Sequence, residues 1–209
     1  MAHYNKGIPN RKEFCVASSN NVAFGMIKPC DLGINTVISS LPLPVIVPEH
    51  ALIRLHQRLD LESTDTIKRN LVKALHNPHL VDVQKGEALI EFKIDNCKVG
   101  YLKAAIVKAV VVIKTFLFIT NNGTPEGKKI NTLLHIQKRD KKYWQIDKES
   151  TFMNSDLYEN AELKNLFAKA GCSCLFQLKK QRCANNNNPT HIAHTFSNFL
   201  RKSNVLMNG

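Results

Sequence analysis

The sequence predicts an α+β fold, in which N-terminal helices pack on a small antiparallel β-meander and a helical C-terminal extension follows. Two patterns predict it: apolar residues recur at helical spacing after Pro48, and valine-rich runs typical of strands occupy residues 88–120. A chain of 209 residues with 44% hydrophobic content is sufficient for one domain with a sizeable core.

The chain divides into four predicted segments. Residues 1–47 are expected to form an irregular arm, because Asn-Asn, Lys-Pro and Leu-Pro-Leu-Pro sequences indicate turns and extended chain. Residues 48–124 are expected to form a helix-plus-sheet domain, and residues 125–184 a mainly helical extension packed on it. An Asn-rich linker and tail are expected over residues 185–209.

Two helices should open the central domain. The first begins after Pro48, where apolar side chains repeat with a period of 3.6. The second spans residues 63–76, with Ser63 as its N-cap and Asn77-Pro78 as its terminator. Three strands should follow, over residues 88–94, 99–107 and 110–120. Because strand succeeds strand with short connections, we expect an antiparallel meander.

The extension should contain further helices. Thr124, Pro125 and Glu126 have the pattern of an N-cap and a first helical turn. Residues 138–148 are expected to form a surface loop or short hairpin of basic and aromatic character. A helix is predicted over residues 155–170, with Gly171 as its terminator, and a short amphipathic helix over residues 190–200.

A histidine and two arginines form a regular series on the first predicted helix. His50, Arg54 and Arg58 stand four residues apart, so they project from one side of the helix. Imidazole can transfer a proton near neutral pH, and guanidinium groups can hold a phosphate in two-point contact. These groups suit phosphodiester cleavage, but a basic stripe on an amphipathic helix is also an ordinary solvated face.

The order of motifs resembles a known ribonuclease superfamily. The series His50-Ala51-x-x-Arg54-Leu55-x-x-Arg58-Leu59 is followed by the helix end Leu75-His76-Asn77-Pro78 and by a meander that finishes in Lys114-Thr115-Phe116-Leu117-Phe118-Ile119-Thr120. Over residues 48–124 this is similar to the barnase-EndoU-colicin-RelE (BECR) type, which occurs in toxins and in phage and plasmid proteins. The residues after 124 have no counterpart in that type of domain.

The resemblance implies a metal-independent endoribonuclease without a cofactor. It implies that His50 is the general acid or base, and that Arg54 and Arg58 stabilise the phosphorane. Thr120, or alternatively Thr115, would supply the hydroxyl of the last strand. The expected partners are RNA and a neutralising protein, such as an antitoxin or immunity protein.

A cation from the sheet is expected to join these groups. Strand alternation puts Lys114 on the same side of the last predicted strand as Thr120, so the two form a natural pair. The simpler alternative is that Lys114 solvates the open face or an edge of the sheet.

The net charge of +12 makes nucleic acid the leading partner class. Candidate contacts beside the helix series are Lys103 and Lys108 on or between strands, and Lys128 and Lys129 after the last strand. A non-catalytic nucleic-acid-binding or phage or plasmid accessory protein is therefore the alternative function, and a structural protein that binds its partner through the extension is a third. The charge excess could instead serve solubility alone.

The cysteines and the apolar runs indicate a reduced, cytoplasmic protein. Cys172, Cys174, Cys183, His191 and His194 contain zinc-ligand residue types, but their spacing is poor and small, partly buried side chains explain the pattern more simply. We therefore expect no metal site. No apolar run reaches the length of a membrane span, and no membrane partner is expected.

Overall fold

The computed structural model describes residues 22–34, 40–84, 86–182 and 190–202. The predicted α+β class is confirmed, because these ranges contain six strands and eight α-helices. The strands are β1 (Val22–Ile27), β2 (Leu43–Val47), β3 (Leu80–Gln84), β4 (Glu87–Ile94), β5 (Cys97–Val107) and β6 (Val110–Phe118). The helices are α1 (Glu49–Arg58), α2 (Thr64–His76), α3 (Pro125–Leu134), α4 (Lys138–Tyr143), α5 (Glu149–Asn154), α6 (Ala161–Lys169), α7 (Ser173–Arg182) and α8 (Ala193–Lys202).

All six strands form one sheet in the order β1-β2-β6-β5-β4-β3. Strand β2 runs parallel to β6, and every other pair is antiparallel. Helix α2 contacts both β4 and β1, so the sheet curls around this helix. The side chains of Ile67, Leu71 and Leu75 cover that contact from α2 and are buried.

The expectation that helices come first was wrong, because β1 and β2 precede α1. The irregular arm predicted for residues 1–47 contains both of these strands. In β2 the side chains of Leu43, Val45 and Val47 are buried while the intervening residues are half-buried, which is the period-two pattern of a strand. The pattern spans only five residues and includes a proline, so local turn signals concealed it.

The helices and the meander after Pro48 follow the predicted order. Ser63 caps α2 by accepting a hydrogen bond from the backbone N–H of Thr66. Strands β4, β5 and β6 match the three predicted runs closely, and β3 was missed. Left-handed pairs close the two hairpins, at Asp95-Asn96 and at Lys108-Ala109, as two-residue turns of the twisted sheet require.

The extension differs from its prediction in two places. Residues 138–143, expected as loop or hairpin, form α4, whose first turn is fixed by the carboxylate of Asp140 accepting from the backbone N–H of Gln137 at 2.7 Å. The single helix predicted for residues 155–170 is divided. A short 3-10 turn covers Asp156–Tyr158, and Asn160 then caps α6 through the backbone N–H of Leu163.

The buried core is continuous between the sheet and the extension. Phe118 at the end of β6 contacts Phe152 of α5, which meets Phe167 of α6 and Phe176 of α7. Helix α8, predicted as a short amphipathic helix over residues 190–200, buries Phe196 fully and places its ring 5.1 Å from that of Trp144. Residues 183–189, which include the asparagine run, lie outside the described ranges. No helix in those ranges is long and apolar enough to cross a membrane.

Candidate nucleic-acid interface

Helix α1 carries the predicted basic series along β6. Its buried residues Ala51 and Leu55 face the sheet, so His50, Arg54 and Arg58 lie at its side. A rise of 1.5 Å per residue separates the first and last of these Cα atoms by about 12 Å along the axis. The three groups therefore form a row and do not converge on one point.

Each member of the row has a different environment. The Nε2 of exposed His50 lies 2.9 Å from the backbone carbonyl oxygen of Lys114, so this nitrogen must be the donor. Exposed Arg54 donates to the amide oxygen of Gln57 at 3.0 Å. Arg58 is half-buried, and it forms an ion pair with the Asp147 carboxylate and a 3.2 Å hydrogen bond to the carbonyl of the same residue.

The predicted pairing of Lys114 with Thr120 is wrong. Lys114 Nζ binds Glu87 at 2.6 Å and is exposed, whereas Thr120 is fully buried and its Oγ1 donates to the Ile146 carbonyl at 2.6 Å. The prediction assumed that side chains alternate between the two faces along the whole of β6. The pairing of β5 with β6 instead shifts by one residue between Lys103 and Ala104, which leaves Lys114 as the extra residue of a β-bulge. Thr120 is structural in this arrangement and cannot meet a substrate.

The other lysines proposed to bind nucleic acid are scattered. Lys103 and Lys114 both bind the Glu87 carboxylate. The hydrogen bond from Lys103, followed by that from Lys114, lowers the pKa of Glu87 below its ordinary value. Lys108 lies in the β5-β6 turn. Lys128 and Lys129 are exposed on α3. None of these four lysines lines the depressions that contain Arg54 and Arg58.

A different set of cations joins the row on α1. Two adjoining depressions, of about 450 and 220 Å³, share Arg58, Lys142 and Asp147 in their walls. We call the two depressions together the basic groove, and its exposed or half-buried cations are Arg54, Arg58, Lys138, Lys142 and Lys148. Only two carboxylates, Asp60 and Asp147, oppose these five cations, so the groove attracts anions.

Helix α4 supplies two of the groove lysines and anchors the groove to the core. Lys138 and Lys142 are four residues apart and share a face. Lys141 points the opposite way and is only 2% exposed. Its Nζ donates hydrogen bonds to the carbonyls of Thr120 at 2.6 Å and Gly127 at 2.8 Å. Burial lowers the pKa of Lys141 to about 8. One lysine of α4 thus fixes the helix while its neighbours face solvent.

Another polar depression, of about 400 Å³, lies between α2 and the β4-β5 hairpin. It contains Arg69, Lys73, His79 and Lys93. One of the three lysine and arginine cations is already paired, because Lys93 Nζ lies 3.2 Å from the Glu91 carboxylate, and His79 Nδ1 lies at the same distance from that group. Asp95 adds a second negative group. The basic groove is therefore the better anion site of the two.

The described residues contain no group of three or more metal-ligating side chains. Burial raises the pKa of the Cys172 thiol to about 12, so the group stays protonated and apolar. Cys183, which would have to complete a zinc set, lies outside the described residues.

Comparison with known proteins gives no relative for this chain: no protein-family model, no curated protein and no solved structure matches it. The resemblance to the BECR type thus remains a prediction that rests on the residues quoted for it.

Sequence reasoning found Arg54 and Arg58 but missed Lys138, Lys142 and Lys148 as members of the same site. The signal was present, since residues 138–148 combine dense basic charge with two aromatic residues. Only the fold shows that this segment packs beside the end of α1, 80 to 90 positions earlier in the chain, as the bond from Arg58 to Asp147 demonstrates.

Proposed function

We propose that the protein binds nucleic acid through the basic groove. The observation that carries the proposal is the meeting of Arg54 and Arg58 from α1 with Lys138, Lys142 and Lys148 from around α4. Cations that collect on one surface neutralise phosphates and release counterions, which supplies most of the affinity in such complexes. The chain's net charge of +12 adds long-range attraction of the same sign.

The row on α1 fits a chain of phosphates better than a single one. His50 and Arg58 are about 12 Å apart along the helix axis, and their side chains bind different partners, the Lys114 carbonyl and Asp147. Arg54 and Lys142 are exposed, and neither forms an ion pair with another described residue. These two side chains are therefore available for backbone phosphates, while Arg58 is fixed by Asp147.

A binding assay tests this function directly. We expect Arg54→Ala combined with Lys142→Ala to weaken binding of a fluorescent oligonucleotide by about tenfold or more, at roughly 1 kcal/mol per lost phosphate contact. The matched control is Lys164→Ala with Lys169→Ala, because both lysines are exposed on α6 and line neither part of the groove. If both double variants lose the same affinity, the groove has no special role.

Metal-independent RNA cleavage by His50 is the second candidate function. The supporting observation is that α1 packs on β6 and places exposed His50 beside Arg54, with Nε2 donating to the Lys114 carbonyl. The neutral ring then accepts a proton at Nδ1, as a general base must. Thr120 is buried away from this site, so the hydroxyl that the resemblance implied would be that of Thr115, which is half-buried on β6 next to Lys114.

The cleavage candidate is tested by incubating the protein with RNA in EDTA. Cleavage by 2′-hydroxyl attack would leave 2′,3′-cyclic phosphate ends, and His50→Ala should abolish them while His76→Ala, an exposed histidine of α2, should not. Intact RNA, or equal cleavage by both variants, would remove this candidate and leave the binding function standing.

A further inference from the structure

Tyr143, the last residue of α4, is the most exposed large apolar side chain among the described residues. Its exposed fraction is 77%, and the next largest, that of Met26, is 60%. Moving an aromatic ring into water is unfavourable, and an exposed ring beside a basic groove is a candidate platform for an aromatic ligand. Its neighbour in sequence, Lys142, lines the basic groove.

The ring of Tyr143 belongs to a chain of packed aromatic rings. It meets Trp144 edge-on at 5.2 Å, and Trp144 in turn packs on Phe196 at 5.1 Å and on Phe199 at 5.7 Å. Phe196 is fully buried in the core contact of α8. Trp144 therefore links the exposed ring of Tyr143 to the buried aromatic contacts of α8.

The turn after Tyr143 keeps a strained conformation. Gln145 has a φ of 52°, in the left-handed region that costs a side chain about 1 kcal/mol or more. Thr151 Oγ1 fixes this turn by donating to the Gln145 carbonyl at 2.7 Å, and the backbone N–H of Ile146 bonds to the Lys141 carbonyl at 3.1 Å. The surrounding contacts thus maintain a strained turn that presents Tyr143.

Tyr143 also adjoins the basic groove. A depression of about 390 Å³ is walled by Tyr143 and Trp144, and it shares Gln145 with the larger part of the groove. The depression beside the exposed ring therefore adjoins the basic groove at Gln145. Positive charge with an aromatic platform beside it is the combination by which proteins hold unpaired strands.

We propose that the ligand of the basic groove is single-stranded nucleic acid, and that one of its bases stacks on the ring of Tyr143. This inference rests on the proposed function and adds to it the class of strand that binds. A duplex keeps its bases stacked on one another, so it can use the cations but not the ring. An unpaired strand can use both.

The test uses the full chain and oligomers of about 12 nucleotides, within the size range that such sites cover. The probes are oligouridylate, oligothymidylate, an oligomer of equal length without bases, and a duplex. The variants are Tyr143→Ala, which removes the ring, and Tyr143→Phe, which retains it. Trp144 is the only tryptophan in the chain and lies against Tyr143, so its fluorescence reports a base arriving there.

We expect Tyr143→Ala to weaken binding of at least one of the two base-containing single strands by about tenfold, because stacking on an aromatic side chain is worth about that factor or more. Binding of the base-free oligomer should be unchanged, and Tyr143→Phe should behave like the parent. Trp144 fluorescence should change with the base-containing strand and not with the base-free one.

Three results would overturn the inference. The first is parental affinity of Tyr143→Ala for both single strands, and the second is an equal loss for the base-free oligomer, which would indicate a change in the groove and not a lost stack. The third is tighter binding of the duplex than of either single strand. In all three the groove still binds phosphates, whereas failure to bind any probe removes the proposed function as well.

Discussion

At the level of single residues, Arg58 and Lys141 are cations that stabilise the walls of the basic groove. The Arg58 guanidinium binds both the carboxylate and the backbone carbonyl of Asp147, so it links α1 to the segment after α4. Lys141 is buried and bound to two carbonyls. Neither is the most available cation of the groove, yet both fix the elements that carry Arg54 and Lys142.

Lys141→Met should destabilise the protein. The change leaves the carbonyls of Thr120 and Gly127 buried without their donor, and two such losses cost about 3 kcal/mol of unfolding free energy. Urea unfolding at about pH 9.5, where the lowered pKa leaves the buried amine neutral, measures this cost. Lys142→Met is the control, since the exposed neighbour should change stability by less than about 0.5 kcal/mol. Equal stability of the two variants would contradict the assigned contacts.

The same residue gives the protein a specific pH dependence. The pKa of Lys141 is about 8 in the folded chain against an ordinary value of 10.5, so between these values the unfolded chain binds more protons. The unfolding free energy of the parent should therefore rise with pH relative to Lys141→Met, by at most about 1.4 kcal/mol per pH unit. A difference between them that is constant from pH 7.5 to pH 9.5 would contradict the lowered pKa.

Thr120 was expected at the site and is structural. Thr120→Val keeps the shape and removes the hydrogen bond to Ile146, which should cost about 1 to 3 kcal/mol of stability without changing oligonucleotide affinity. Thr115→Val is the control, because its half-buried hydroxyl makes only a long contact of 3.4 Å to the Phe116 carbonyl. A Thr120→Val variant that is stable but binds weakly would return Thr120 to the site.

At the scale of elements, the end of β6 is joined to α3 by a close backbone contact. A Cβ added to Gly127 would lie 1.8 Å from the carbonyl oxygen of Asn121. Helix propensity favours alanine over glycine by about 1 kcal/mol, but this clash should make the alanine variant less stable than the parent. We therefore expect Gly127→Ala to lower the unfolding free energy by more than about 2 kcal/mol.

Gly123→Ala is the matched control for that junction. A Cβ there would meet the flexible end of Leu117 at 2.9 Å, and Gly123 is exposed. Its stability should change by less than about 1 kcal/mol. Thermal unfolding of both variants measures the difference, and a stabilised Gly127→Ala would show that propensity exceeds the clash.

Elements with strong local signals were predictable, and elements formed by distant contacts were not. Helix α2 has a cap, a period and a terminator within its own sequence, and it was found nearly to the residue. Strand β2 depends on parallel pairing with β6, more than 60 residues later, and was missed. Helix α4 was read as a loop because Lys141 appeared to be one more surface charge, when its burial completes the helix.

At the scale of the whole molecule, the fold turns two separate basic segments into one groove. The curled sheet and the aromatic contacts of Phe118 with the extension bring α4 alongside α1. The row on α1 was readable from its spacing. The partners of that row were not, because no local rule links residues 54–58 with residues 138–148.

The salt dependence of binding tests the central claim most directly. The logarithm of the association constant for a single-stranded oligonucleotide should fall linearly with the logarithm of salt concentration, with a slope of about −0.7 per phosphate contact. Arg54→Ala with Lys142→Ala should reduce the steepness of that slope by about 1.4, and Lys164→Ala with Lys169→Ala should leave it unchanged. Identical slopes for the parent and both double variants would contradict the assignment of the basic groove as the nucleic-acid site.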